Sequence, residues 1–192
     1  MLNKSGSKSP LSLTEIALAF RRAGWISFWA QLVLGVVASV ILGFANFSRG
    51  SATGGQQLGT GVGIFFAGCG VIVLGASVYW AFRYTRIARK LESSNPNNRP
   101  RKAETIQIVR LGVLINLVGL VISIVGAQAI VGALVAKSLT LPQAGVGAVV
   151  QLNPNQIIRP LDIFVVQANT NTVAAHFAGL IGSLWILNSV NQ

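Results

Sequence analysis

LGVLINLVGLVISIVGAQAIVGALVA, from Leu111 to Ala136, contains no Asp, Glu, Lys or Arg. About 20 apolar residues in a helix cross the ~30 Å hydrocarbon core of a bilayer. The run therefore reads as a transmembrane helix. Three further apolar runs of similar length lie at about 25–47, 62–82 and 163–187. The whole composition agrees, because only 10% of the 192 residues are charged and 52% are hydrophobic. A soluble domain carries about 25% charged residues. The expected fold is all-α: an integral membrane bundle of four transmembrane helices.

The flanks of the runs set the orientation. One side carries Lys4, Lys8, Arg21 and Arg22, with Arg83, Arg86, Arg89, Lys90, Arg99, Arg101, Lys102 and Arg110 between spans two and three. The other side carries only Arg49, Lys137 and Arg159. Basic residues collect on the cytoplasmic side, so both termini are expected inside. Trp25, Trp29, Trp80 and Trp185 all fall at the same inner interface. There an indole buries its ring and hydrates its N–H. The formal net charge of +11 thus points to anionic lipid at the inner face. No aromatic–basic platform interrupts the apolar runs, so nucleic acid is not an expected partner.

The connections differ in character. Ser48–Gly61 is a polar, glycine-rich loop, and Asn95-Pro96-Asn97-Asn98-Arg99-Pro100 is a turn signal. Leu139–Leu161, with Pro142, Pro154 and Pro160, is apolar enough to fold back on the bundle. Ahead of span one, Leu11–Gly24 spaces Leu13, Ile16, Ala17 and Phe20 as an amphipathic helix would. It is either a helix on the membrane surface or an inner extension of span one. Ser12 and Glu15 form a capping box for it. The chain is accordingly divided into a basic tail with a possible amphipathic helix, 1–24, and a four-span domain, 25–192. The first apolar run is too long for a signal-peptide core and reads as a retained span. Cys69 is the only cysteine and reads as core filler.

Small residues recur in the spans. Span two places Gly61, Gly68 and Gly75 on one stripe and Gly63, Ala67, Gly70 and Ser77 on another. Span three steps through Gly112, Asn116, Gly119, Ser123 and Gly126, and span one carries Gly35, Ser39 and Gly43. In lipid, small residues let helix backbones approach closely. Gly68, Gly75, Gly112, Gly119 and Gly126 are the expected packing positions.

Span four is the polar one. Asn169, Thr172, His176, Gly179 and Ser183 step by three and four and share a face. That face should turn inward, since amides and imidazole are costly to expose to hydrocarbon. Gln31, Asn116 and Ser123 could meet it, and Gln128 could pair with Gln167. These side chains are either interhelical hydrogen-bonding groups or a polar pathway. His176 and Asp162 are the two weak candidates for metal contact, and Asp162 also reads as a helix-start residue. There is no paired carboxylate, no Ser/His/Asp set and no phosphate loop. Catalysis and a tightly held cofactor are therefore not expected.

Several segments resemble a family shared by cyanobacteria and plastids. They are Ser27-Phe28-Trp29-Ala30-Gln31-Leu32-Val33, Tyr79-Trp80-Ala81-Phe82-Arg83-Tyr84 and Val131-Gly132-Ala133-Leu134-Val135-Ala136-Lys137. The most specific runs from Asp162 to Thr172 and on through His176-Phe177-Ala178-Gly179-Leu180. The plant members are chloroplast inner-envelope proteins described both as permeases for iron and as components of the inner-envelope protein translocon. The likeness extends from about Leu13 to Val190. It implies a four-span protein of a cyanobacterial plasma or thylakoid membrane, or of the plastid inner envelope in plants. The lack of a transit peptide favours a cyanobacterial protein. The expected function is permease-like transport of iron or another divalent metal. The alternative is a non-catalytic subunit of a protein-import translocon or a membrane-assembly factor. Either role implies a homo-oligomer or a membrane-protein partner.

Overall fold

A computed structural model describes residues 12–50, 58–93, 95, 97, 99–139 and 158–191. The N-terminal tail to Leu11, most of the polar loop after span one and most of the proline-containing loop after span three lie outside them. Four helices account for nearly all of the described chain: α1 (Leu13–Gly50), α2 (Leu58–Leu91), α3 (Lys102–Leu139) and α4 (Pro160–Asn191). All four are long and apolar enough to cross a membrane. Each packs on its two neighbours round a ring, and α2 also meets α4 across the diagonal. The expected four-span, all-α bundle is the observed one.

The helices outrun the apolar segments. α3 has 38 residues, about 57 Å at 1.5 Å per residue. The excess lies largely at the basic end, where α2 and α3 continue through Arg83–Leu91 and Lys102–Arg110. The turn between them is tied by its own polar groups. Asn97 N–H donates to Asn95 Oδ1 at 3.1 Å, and the Arg99 guanidinium donates twice to the Ser93 carbonyl at 3.1 and 3.0 Å.

α1 is one unbroken helix from Leu13, so Leu13–Gly24 is the inner extension of span one. Its inward residues Ala17, Phe20 and Ala23 are buried with Tyr84, Ile87, Ala88, Val109 and Ile186. Phe20 meets the Tyr84 ring edge-on, with centroids 6.1 Å apart. That contact draws the amphipathic face onto the bundle and off the bilayer surface. The capping box forms: Ser12 N–H donates to Glu15 Oε2 at 2.8 Å, and Glu15 N–H donates to Ser12 Oγ at 3.3 Å. The backbone bond from Ser12, then its hydroxyl bond, holds the Glu15 carboxyl below its ordinary pKa. A depressed carboxylate favours the folded helix above its unfolded pKa. This contribution fades as pH falls through the folded value.

Why these four helices assemble follows from their inward files. Buried positions in α3 are Thr105, Val109, Gly112, Asn116, Gly119, Ser123, Gly126 and Ile130, alternating steps of four and three. α4 repeats the pattern through Asp162, Val165, Asn169, Thr172, His176, Gly179, Ser183, Ile186 and Val190. α2 does so from Gly63 through Ala67, Gly70, Leu74, Ser77, Ala81, Tyr84 and Ala88 to Leu91. α1 buries Ala17, Gly24, Gln31, Ala38 and Ala45 at sevens. A sustained 3.5-residue repeat keeps one seam inward and imposes a left-handed crossing near 20°. Large apolar side chains turn outward instead; Phe65, Ile72 and Phe177 are more than half exposed. This suits a bilayer, where apolar surface gains nothing by leaving lipid and close backbone packing drives association.

The packing glycines divide in two. A Cβ on Gly112 would strike Tyr84 Oη, one on Gly119 the His176 ring, and one on Gly126 the Ala67 backbone N at 3.1 Å. Gly68 and Gly75, expected to pack, have nothing within 4 Å of a Cβ. Their stripe faces away from the bundle. The other stripe of α2 packs, with Gly63 against Ile130 and Gly70 against Ser123.

This division is testable by thermal unfolding in detergent. Gly126→Leu should lower stability by about 1–3 kcal/mol through overpacking. Gly75→Leu should be neutral or slightly stabilising, since it exchanges glycine for a better helix former in open space. Equal losses would contradict the assignment of the two stripes.

Candidate functional site: a polar middle between apolar ends

Midway along the bundle all four helices meet at one amide junction. Gln31 of α1 donates through Nε2 to Ser77 Oγ of α2 at 2.7 Å and to Asn116 Oδ1 of α3 at 2.8 Å. Ser77 Oγ also donates to Asn116 Oδ1 at 2.7 Å, and Asn116 Nδ2 donates to the Gly112 carbonyl at 2.9 Å. α4 contributes Gly179, where any Cβ would collide with the Gln31 and Asn116 amides. The glycine is required here because the amides occupy the space of a side chain. Gln31 is fully buried and Asn116 nearly so.

Further from the basic end lies the face of α4 that carries His176, Thr172 and Asn169. The His176 Nε2–H donates to the Gly70 carbonyl of α2 at 3.2 Å. A carbonyl can only accept, so this bond places the proton on Nε2. The ring lies against Gly119 of α3. Asn169 Nδ2 donates to the Ser123 carbonyl at 2.7 Å, and Thr172 Oγ1 donates to the Ala168 carbonyl at 3.1 Å. Towards the basic end, Tyr84 and Ser183 share a hydrogen bond of 3.0 Å, and a Cβ on Gly182 would meet Ser27 Oγ.

Both ends of this polar middle are apolar. At the basic end stands the cluster around Phe20, Tyr84 and Ile186; at the other stand Ala38, Leu42, Ala45, Ala67, Ile130, Val165 and Ala168. Four buried atoms make no hydrogen bond among the described residues: Gln31 Oε1, Ser123 Oγ, Asn169 Oδ1 and His176 Nδ1. Three of them are acceptors in this arrangement. Internal water suits such groups, since each bare one costs up to several kcal/mol in hydrocarbon.

Gln31, Asn116, Ser123, Asn169, Thr172 and His176 thus share the interior. Gln128 and Gln167 do not join them. Both are exposed, and Gln167 donates to Asn171 Oδ1 of its own helix at 3.1 Å. The pairing between them is not made; Gln167 lies only five residues from Asp162, roughly 7–8 Å along the helix, close enough to the outer boundary to be hydrated. The two candidates for metal contact are also apart. Asp162 and His176 are 14 positions apart on α4, roughly 21 Å, and cannot share an ion. Asp162 instead pairs with Lys137 at 3.4 Å and accepts from the Arg159 N–H at 3.2 Å. With Pro160 at the first helical position, this fixes the start of α4. No group of three His, Cys, Asp or Glu residues gathers among the described residues. Ser77, Tyr84 and Lys137 were not anticipated as partners; Ser183, which bonds Tyr84, lies on the face of span four expected to turn inward. Ser77 had a signal, its place on the Gly63–Gly70 stripe; Lys137 had none.

An inside-out bundle with an amide-bonded middle defines a multi-pass integral membrane protein. The chain belongs to the family described as "Protein of unknown function (DUF3611)", matched by residues 10–191. It is also 36% identical over 180 residues to "Protein TIC 21, chloroplastic" of Arabidopsis thaliana. The match covers 93% of this chain and 58% of that relative, so the chain spans under two thirds of its length. The plastid relative agrees with the resemblance carried by the motifs. No solved structure matches the chain.

The junction should be sensitive where the orphan hydroxyl is not. Asn116→Leu removes an acceptor from both the Gln31 amide and the Ser77 hydroxyl, leaving only the bond between those two, and should cost about 1–3 kcal/mol. Ser123→Ala removes a group that bonds nothing in the described chain, and should leave the melting temperature unchanged or raise it. Comparable losses from both would contradict the hydrogen-bond pattern.

Proposed function

We propose that this chain is a non-catalytic subunit of a membrane complex that moves or assembles proteins. The observation that carries the reading is the closure of the core. Its polar groups are spent largely on holding helix to helix, and apolar clusters lie above and below them. Such a core holds a scaffold together and offers no wetted route along its axis. The projecting α2–α3 hairpin supplies a docking element, with Arg86, Arg89, Lys90, Arg99, Arg101, Lys102 and Arg110 exposed. The name of the chloroplast relative, together with the translocon role that the motif resemblance implies, supports the same direction.

A second reading is divalent-metal permeation. It draws on one observation: Gln31 Oε1, Asn169 Oδ1 and His176 Nδ1 are buried acceptors without partners. Neutral oxygen and nitrogen groups of this kind contact a passing cation without holding it tightly.

Liposomes containing only the purified protein separate the two. Ferrous or manganous ion flux should equal that of empty liposomes, while a photo-crosslinker at Asn97 in cells captures a membrane-protein partner. Flux well above the empty control, lowered by His176→Gln with folding retained, would overturn the scaffold reading in favour of permeation.

A further inference from the structure

At the basic end, α2 and α3 enclose a cavity of about 420 Å³ away from the polar core. α2 lines it with Tyr79, Phe82, Arg83, Arg86 and Lys90; α3 and the turn before it supply the opposite wall, including Glu104 and Ile108. Arg83, Arg86 and Lys90 are spaced by three and four, so they share one helix face. Like charges at that spacing repel. Among the described residues, no carboxylate pairs with any of them.

The two arginines are nonetheless held in place by aromatic rings. The Arg83 guanidinium lies over Trp80 and that of Arg86 over Phe82, each 5.0 Å from the ring centroid. Trp80 is itself pinned, donating Nε1–H to the Ile108 carbonyl of α3 at 2.9 Å. The cluster is therefore preorganised and short of negative charge.

Its depth decides the class of ligand. Trp80 and Tyr79 mark the interfacial level, where headgroup phosphates lie. Below the cavity the same face of α2 shows Ile72, among the most exposed apolar residues of the bundle. α3 exposes Leu111 one turn beyond Ile108. A ligand with an anionic head and an apolar tail fits both halves of this surface; a soluble anion uses only the first.

We propose that this cavity is a binding site for the phosphodiester headgroup of an anionic phospholipid of the inner leaflet. Arg83 and Arg86 hold the phosphate, Lys90 adds charge from the cytoplasmic side, and the acyl chains run down α2 and α3. The proposal is independent of what the bundle transports or assembles.

The test uses the delipidated full chain in nonionic micelles, titrated with phosphatidylglycerol or phosphatidylcholine and read by thermal unfolding. Phosphatidylglycerol should give a saturable rise in melting temperature that phosphatidylcholine does not. Arg86→Gln/Lys90→Gln alters two exposed side chains. It should weaken the effect roughly thirtyfold, since each interfacial cation contributes about five- to sixfold in affinity. Arg89→Gln/Arg110→Gln removes the same charge outside the cavity and should match the parent. Equal weakening in both double variants would overturn the site in favour of diffuse attraction. Saturation by soluble glycerophosphate at the same concentration would overturn the lipid assignment in favour of a soluble phosphate ligand.

Discussion

The fold turns on the Gln31–Ser77–Asn116 junction. In hydrocarbon, no solvent can satisfy an amide that loses its partner. Placing one amide on α1 and another on α3 makes each helix the other's solvent across a diagonal. Ser77 closes the triangle from α2, and Gly179 lets α4 come close enough to cover it. Each interhelical bond in a membrane is worth only about 0.6 kcal/mol on average. Its larger effect is on register, because sliding or turning any one helix strands several polar groups at once.

The rest of the interior is arranged around that fixed level. The 3.5-residue repeat brings small residues inward turn after turn, and backbones approach until a glycine on one helix meets a side chain on the next. Gly112 admits the Tyr84 hydroxyl, Gly119 the imidazole and Gly179 the amides. Polar side chains and glycines are thus complementary parts of one device: the glycine provides the volume that the polar group fills. The apolar clusters at both ends isolate this middle from the aqueous phases.

Much of this was legible in the chain as letters. Charge-free runs are long-range composition, and the bilayer imposes their length, so four spans could be read directly. The inward face of span four was legible for a related reason: Asn169, Thr172 and His176 are too costly to leave in lipid, and their steps of three and four select a single face. Where two faces of one helix carried similar residues, the reading failed. Gly61–Gly68–Gly75 and Gly63–Gly70–Ser77 have the same period, and nothing within span two says which stripe has a neighbour. Gln128 and Gln167 are polar, but they lie on outward faces. Long-range pairs such as Lys137–Asp162 and Phe20–Tyr84 depend on how helices align end to end, which hydropathy does not encode.

The central claim is that Gln31 and Asn116 are coupled across the bundle, and a double-mutant cycle measures that coupling. Stability in detergent is compared for the parent, Gln31→Met, Asn116→Leu and the double variant. Each single change leaves the other amide buried and short of one hydrogen bond, whereas the double change removes both amides. The double variant should therefore be more stable than the sum of the single losses implies, by roughly 0.6–1.7 kcal/mol for one membrane hydrogen bond, or more where desolvation of the stranded group adds to it. Strictly additive losses would mean that the two amides do not meet, and would contradict the account.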